Sequence, residues 1–149
     1  MNILVSACLI GLHTRYAGDG NSIDWITALA EKHALIPVCP EQLGGLPTPR
    51  VPCERMGAQV LDRDGNDRTQ AFVSGAEMAL RIAQLNHCTI AILKQRSPSC
   101  GSGVIYDGTF SGTRVPGDGV AAHLLKNAGL RVFSEEDMDA CLRCIEQSK

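Results

Sequence analysis

Short, nearly unbroken apolar runs alternate along this chain with longer stretches of helical periodicity. Ile3-Leu4-Val5, Leu35-Ile36-Pro37-Val38 and Thr89-Ile90-Ala91-Ile92-Leu93 read as strands buried on both faces. Trp25, Leu29 and Ile26 predict the apolar face of a helix running from about Ile23-Asp24 to His33. Phe72, Ala76, Ala79, Leu80 and Ala83 recur at helical spacing and predict a long helix over 69–85. Further along, the pattern predicts a helix over 117–128, a strand over 130–133 and a closing helix over 135–147. A short strand is expected over 58–61, followed by a turn at Asp62-Arg63-Asp64-Gly65-Asn66, and a β-hairpin around Asp107-Gly108.

Strands that alternate with helices predict an α/β fold: a single-domain (1–149), doubly wound, Rossmann-like three-layer arrangement with a mostly parallel sheet and a small β-hairpin. Two polar stretches interrupt it. Residues 11–22 must form a loop, and residues 41–52 are so rich in Pro and Gly that they read as neither helix nor central strand. Long loops inside a compact domain are usually functional.

Composition narrows the function. A net charge of −2 with no stripe of Lys or Arg argues against binding bulk nucleic acid. The apolar start, residues 3–12, is too short to cross a bilayer and lacks a positively charged leader, so no membrane partner is expected. Seven cysteines are an odd count without the dense spacing of a secreted disulfide scaffold. That fits a reducing, cytoplasmic setting, where clustered cysteines are more often ligands or nucleophiles than staples.

Three of those cysteines sit at or just beyond the ends of the apolar runs. Cys8 lies in Ser6-Ala7-Cys8-Leu9-Ile10-Gly11, Cys39 in Pro37-Val38-Cys39-Pro40-Glu41, and Cys100 in Ser97-Pro98-Ser99-Cys100-Gly101. Parallel strands of an open α/β sheet end on one rim, where ligands bind. Any one of these residues alone reads as a small buried hydrophobe. Together, each beside Gly or Pro, they predict a metal or iron–sulfur site with one coordination position unfilled. Irregular backbone around them would present N–H groups to thiolate or sulfide.

Around this triad the alternatives stay open. Glu41 is a surface carboxylate or a general base beside the metal. Ser97 and Ser99 shape a turn or donate to a substrate heteroatom. Arg50, between two prolines, anchors an anion, fixes Glu41 or lies on the surface; Lys94 ends a buried strand that points at the same rim. Cys53 is a reserve ligand, Cys88 reads as structural, and Cys141 with Cys144 read as incidental cysteines of a terminal helix. Gly117-Asp118-Gly119 is a weak anion signal, with no phosphate-loop Lys. The scattered histidines give no zinc site.

These motifs resemble the thiouracil desulfidase family. The resemblance rests on Val5-Ser6-Ala7-Cys8-Leu9, on Pro37-Val38-Cys39-Pro40-Glu41 with Gly44-Gly45-Leu46 and Pro49-Arg50, and on Leu93-Lys94 with Ser97-Pro98-Ser99-Cys100-Gly101. It continues through Tyr106-Asp107-Gly108-Thr109-Phe110 to Gly117-Asp118-Gly119-Val120. It implies non-redox conversion of 2-thiouracil and water to uracil and hydrogen sulfide. It also implies a 4Fe–4S cluster held by Cys8, Cys39 and Cys100, which leaves one iron without a protein ligand as a Lewis acid. In that setting Glu41 would activate water, Ser97 and Lys94 would assist the chemistry, and Ser99 and Arg50 would bind substrate. The expected partners are a small thiopyrimidine and cluster-assembly machinery, for a monomer or dimer. A Cys-ligated zinc hydrolase, an iron–sulfur electron carrier or sensor with Cys53 as fourth ligand, and a nonenzymatic binding module are the alternatives.

Overall fold

The structure is a computed structural model that describes residues 1–148. Strand β1 (Asn2–Ser6) runs into a 3₁₀ turn (Ala7–Ile10) that Gly11 closes at φ 91°. A loop leads to α1 (Asp24–Thr27), a second 3₁₀ turn (Ala28–Glu31), β2 (Ala34–Val38) and α2 (Pro40–Leu43). Strands β3 (Cys53–Met56) and β4 (Gln59–Asp62) pair as an antiparallel hairpin ahead of the long α3 (Thr69–Leu85). After β5 (Ile90–Leu93), strands β6 (Val104–Tyr106) and β7 (Arg114–Pro116) make a second hairpin. Helix α4 (Val120–Asn127), strand β8 (Arg131–Ser134) and helix α5 (Met138–Gln147) follow.

The central sheet has the order β2-β1-β5-β8, with every neighbouring pair parallel. Alternation along its strands divides the core in two. Ile3, Val5, Ile90 and Ile92 face one side, where they meet Ile26, Cys141, Cys144 and Ile145. Leu4, Ala91 and Leu93 face the other, against Ala79 and Ala83 of α3 and Ala122 and Leu125 of α4. Helices therefore cover both faces, giving the expected three layers. From β1 the chain turns outward to β2 and then crosses to β5 on the opposite side of β1. That reversal opens a crevice at the carboxyl ends of β1 and β5, the binding position of doubly wound sheets.

Several local expectations are corrected. The first helix is a single α turn followed by a 3₁₀ turn rather than a continuous helix to His33. Residues 41–52 are not wholly irregular, because α2 begins at Pro40, whose fixed φ and missing N–H suit the first helical position. Asp107-Gly108 is not a two-residue hairpin turn: it opens the longer loop 107–113. The strand expected over 58–61 is β4, and it pairs with an unexpected partner, β3, in a second hairpin. The last helix starts at Met138, which leaves Glu135 in the preceding turn.

Two glycines set how closely the helices approach the site. A Cβ on Gly75 of α3 would sit 1.8 Å from the Pro40 carbonyl oxygen, so α3 packs directly on the turn that carries Cys39 and Glu41. A Cβ on Gly119 would lie 2.4 Å from the Ser99 carbonyl carbon and 2.7 Å from the Cys100 nitrogen, so the start of α4 seats the third cysteine's backbone. Backbone cannot yield as a flexible side chain does. Gly75→Ala is expected to destabilise the protein by about 3 kcal/mol, the upper end of the usual cost of overpacking, measured by denaturant unfolding. Unchanged stability would show that α2 moves off α3 freely.

Cys141 and Cys144 are buried in the core beneath α5, as expected of incidental cysteines. Burial pushes the Cys141 thiol from 9.0 up to about 12, with Cys144 and Asp137 adding to the rise. Folding favours its neutral form, so this stability is fully present below pH 9.0 and is lost as pH rises toward about 12. Cys141→Val should flatten the alkaline loss of stability over that window, read by melting at stepped pH. An unchanged alkaline slope would show that other groups govern it.

Candidate active site

The eight residues singled out in the sequence meet in one place. Cys8, Cys39, Glu41, Arg50, Lys94, Ser97, Ser99 and Cys100 all line a cleft of about 510 Å³ at the carboxyl ends of β1, β2 and β5. Cys8 sits on the 3₁₀ turn that leaves β1, Cys39 on the first residue after β2, and Cys100 on the loop after β5. Each is a free thiol. Cys8 and Cys100 are buried, and Cys39 is half-buried.

All three thiols are held toward their neutral form, and Cys39 acts on both of the others. Burial pushes Cys8 up to about 11; Lys94 opposes the rise, and Cys39 adds to it. Burial pushes Cys100 up to about 12, hydroxyls of Ser6 and Ser99 oppose it, and Cys39 and Cys8 add to it. Cys39 is raised as well, by burial against the opposing amide of Gln42, then by the Glu41 carboxylate against Arg50. Three thiols held neutral by burial suit a cationic centre, whose attraction for thiolate opposes that penalty. Among the described residues, no group of three or more His, Cys, Asp or Glu side chains could hold a single metal ion. A multi-iron cluster takes its thiolates at separate metal atoms. Three thiols on separate loops, with no histidine among the described residues that line the cleft, are a donor set that fits an iron–sulfur cluster.

A chain of short hydrogen bonds runs beside the thiols. Arg50, with a side chain only 5% exposed, donates from Nε to Glu41 Oε1 at 3.0 Å. Its remaining donors reach Thr48 Oγ1 at 2.9 Å, Pro47 O at 3.3 Å and Thr14 O at 2.9 Å. The Cys39 thiol points to the same Thr14 carbonyl at 3.7 Å. Ser99 Oγ lies 2.8 Å from the second oxygen of Glu41 and 3.6 Å from Cys100 Sγ, and its one proton goes to the nearer, charged acceptor. Ser97 Oγ, 2.9 Å away, must then donate to Ser99, while it accepts from the backbone N–H groups of Ser99 and Cys100. Ser97 thus both shapes the loop that holds Cys100 and sets the direction of the hydroxyl relay into Glu41.

Lys94 also lines the cleft. Its Nζ pairs with Glu135 Oε2 at 2.8 Å, and the other Glu135 oxygen accepts from Gln95 N at 2.7 Å. Gln95 Oε1 in turn accepts from Arg96 N and Ser102 N, bracing both ends of the Ser97–Cys100 turn. Cys53 also lines the cleft, with its thiol toward Val51 O at 3.7 Å. Burial pushes Cys53 up to about 11, and the carboxylates of Glu41 and Asp62 raise it further.

Comparison with known proteins agrees with this geometry. Residues 3–137 match the family model described as 2-thiouracil desulfurase. The chain belongs to the 2-thiouracil desulfurase family. It is 42% identical over 150 residues to a Bacillus subtilis (strain 168) protein described as uncharacterized protein YbbK, covering 94% of this chain and 99% of that one. Its fold superposes with a TM-score of 0.94 on the solved structure of the [4Fe-4S]-dependent thiouracil desulfidase TudS (DUF523Vcz). That match is 42% identical and covers 98% of each chain.

Sequence reasoning missed the outer part of this desulfurase-family cleft. Tyr16, Glu54, Arg63, Tyr106, Phe110 and Arg114 line it as well, all from loops and hairpins outside the central sheet. Phe110 stands at φ 57°, a left-handed conformation that costs a side-chain-bearing residue about 1–3 kcal/mol. One signal was available: in a chain with few aromatic residues, those outside the apolar periodicity are free for a site.

Arg50→Ala would leave the Glu41 carboxylate largely buried without its partner. The expected cost is about 3 kcal/mol, read by denaturant unfolding. Arg50→Lys should recover only part of it, because one ammonium cannot reach all of these acceptors. Full recovery by Lys would show that charge alone, not the guanidinium fork, holds Glu41.

Proposed function

We propose that this protein removes sulfur from thiouracil: 2-thiouracil and water give uracil and hydrogen sulfide, with no net change in electrons. The observation that carries the reading is the convergence of three free thiols with a largely buried, doubly hydrogen-bonded Glu41 in one cleft. Family membership and the likeness to TudS support it. Cys8, Cys39 and Cys100 would hold a 4Fe–4S cluster. Bound by only three thiolates, such a cluster supplies a soft Lewis acid suited to a thiocarbonyl sulfur.

The protein's own groups then handle water and protons. Glu41, fixed by Arg50 on one oxygen and Ser99 on the other, is poised to take a proton from water as its oxygen bonds to the ring carbon. The C–S bond breaks, and the sulfur leaves as hydrogen sulfide with the two protons that water brought. Ser97 and Ser99 donate in series toward Glu41, which holds the carboxylate in place as an acceptor for the water's proton. Lys94, the strongest favourable charge on the Cys8 thiolate, supports developing negative charge in the cleft. Arg50 acts through Glu41 rather than on the substrate, since its donors are engaged within the protein.

The setting belongs to the same proposal. No helix among the described residues is long and apolar enough to cross a membrane. Free thiols and an oxygen-sensitive cluster suit a reducing cytoplasm, with assembly machinery to load the iron.

Purified without oxygen, the protein should be brown, contain about four irons per chain, and release equal amounts of sulfide and uracil from 2-thiouracil. Failure to take up iron and sulfide on anaerobic reconstitution would end the cluster assignment, and a brown but inert protein would end the substrate assignment. Glu41→Gln should keep the cluster absorbance while kcat falls by about 10²–10⁴-fold. Full turnover in that variant would remove Glu41 from the base role.

A further inference from the structure

The chain has one Trp, two Tyr and three Phe. Phe72 is fully buried, and Trp25 and Phe133 pack against the cluster of apolar residues beneath α5. The remaining three, Tyr16, Tyr106 and Phe110, all line the cleft. Every aromatic side chain outside the core is thus gathered at one opening.

Phe110 is the most constrained of them. Its backbone occupies φ 57°, where Gly or Asn would be at ease and a phenyl-bearing residue is strained. Glu54, on β3 of the other hairpin, holds it there: one carboxylate oxygen accepts from Gly108 N at 3.0 Å and from Phe110 N at 3.1 Å. Arg63 lies over the ring, its guanidinium carbon 5.9 Å from the centroid. Local backbone preference alone would place another residue at this position, so the side chain is what the loop is built to present.

Beside the thiols the cleft offers a carboxylate, hydroxyls, an ammonium and small apolar groups; its aromatic rings are Tyr16, Tyr106 and Phe110. A thiopyrimidine has a polar edge and two π faces. The edge and sulfur find partners among the polar groups, and a π face stacks best on an aromatic ring. We propose that Phe110 is a stacking platform for the pyrimidine ring, and that Glu54 is a positioning residue that fixes the loop presenting it. This rests on the desulfidase reading and adds the residue that selects a planar ring. Because stacking ignores which edge atom bears the sulfur, Phe110 contributes equally to 2-thio and 4-thio rings.

Uracil, the product, tests the platform without turnover. The loaded protein and its Phe110→Gly, Phe110→Leu, Glu54→Ala and Glu54→Gln variants are titrated with uracil by calorimetry and melted in parallel, and KM and kcat for 2-thiouracil are measured alongside. Phe110→Gly relieves the backbone, so its melting temperature should equal or exceed that of the parent, while uracil Kd and KM rise about tenfold, or about 1.4 kcal/mol. Cluster absorbance should stay intact. Phe110→Leu, apolar but not planar, should lose most of the same affinity. Glu54→Ala should raise KM with kcat nearly unchanged, and Glu54→Gln, whose amide oxygen still accepts from both N–H groups, should restore it. An active parent whose Phe110 variants bind uracil within twofold of it overturns the platform and leaves the desulfidase reading standing. A Glu54→Ala variant with parental KM overturns the positioning role. A loaded parent that neither binds uracil nor acts on thiouracil overturns both.

Discussion

Three desolvated thiols gathered on one rim are the constraint on which this structure turns. Each carries a desolvation penalty against ionisation, and Cys39 raises that penalty for both Cys8 and Cys100. Such an arrangement persists because rigid neighbours impose it. Cys39 follows the last residue of β2 and is seated by α2, which lies on the bare backbone of Gly75. Cys100 is seated by the close approach of Gly119 and by two amide bonds to Ser97. Cys8 is carried by the turn at the end of the central strand, whose neighbours on both sides deliver the other two loops. A parallel sheet is suited to this because all of its strands finish on one rim.

The polar network beside the thiols is organised around proton handling. Arg50 satisfies carbonyl groups from two separate loops as well as Glu41, so the carboxylate and the loop carrying Cys39 share one anchor. The relay of Ser97 and Ser99 links the same carboxylate to the loop of Cys100. Glu41 and the loops of Cys39 and Cys100 are therefore positioned by common contacts, and a shift in one displaces the other. This coupling suits hydrolytic chemistry, in which water must be activated at a fixed distance from the bound ring carbon.

Sheet and hairpins divide the labour. The carboxyl ends of the parallel strands supply the thiols, Glu41 and Lys94, which form the reactive inner end of the cleft. The two hairpins and their flanking loops supply Cys53, Glu54, Arg63, Tyr106, Phe110 and Arg114, which form its outer wall. Glu54 joins them by reaching from β3 into the loop between β6 and β7.

Much of this was present in the chain before any fold was known. The apolar runs around Leu4, Ile36 and Ile92 announced buried strands, and the spacing of Phe72, Ala76, Ala79 and Ala83 announced α3, because core burial imposes its period directly on the sequence. The eight inner residues were also legible, since they lie at strand ends beside Gly and Pro and match the motifs of a family. The one-turn α2, the hairpin β3–β4, the role of Glu135 and the aromatic wall were not. Single turns and four-residue strands are too short to show a period, while Glu135 with Gln95 and Glu54 with Phe110 are brought together across 40 or more positions. Strand ends and core faces were therefore written locally, whereas the direction of the hydroxyl relay, the anchoring of Glu41 and the placement of Phe110 were decided only when distant loops closed on one cleft.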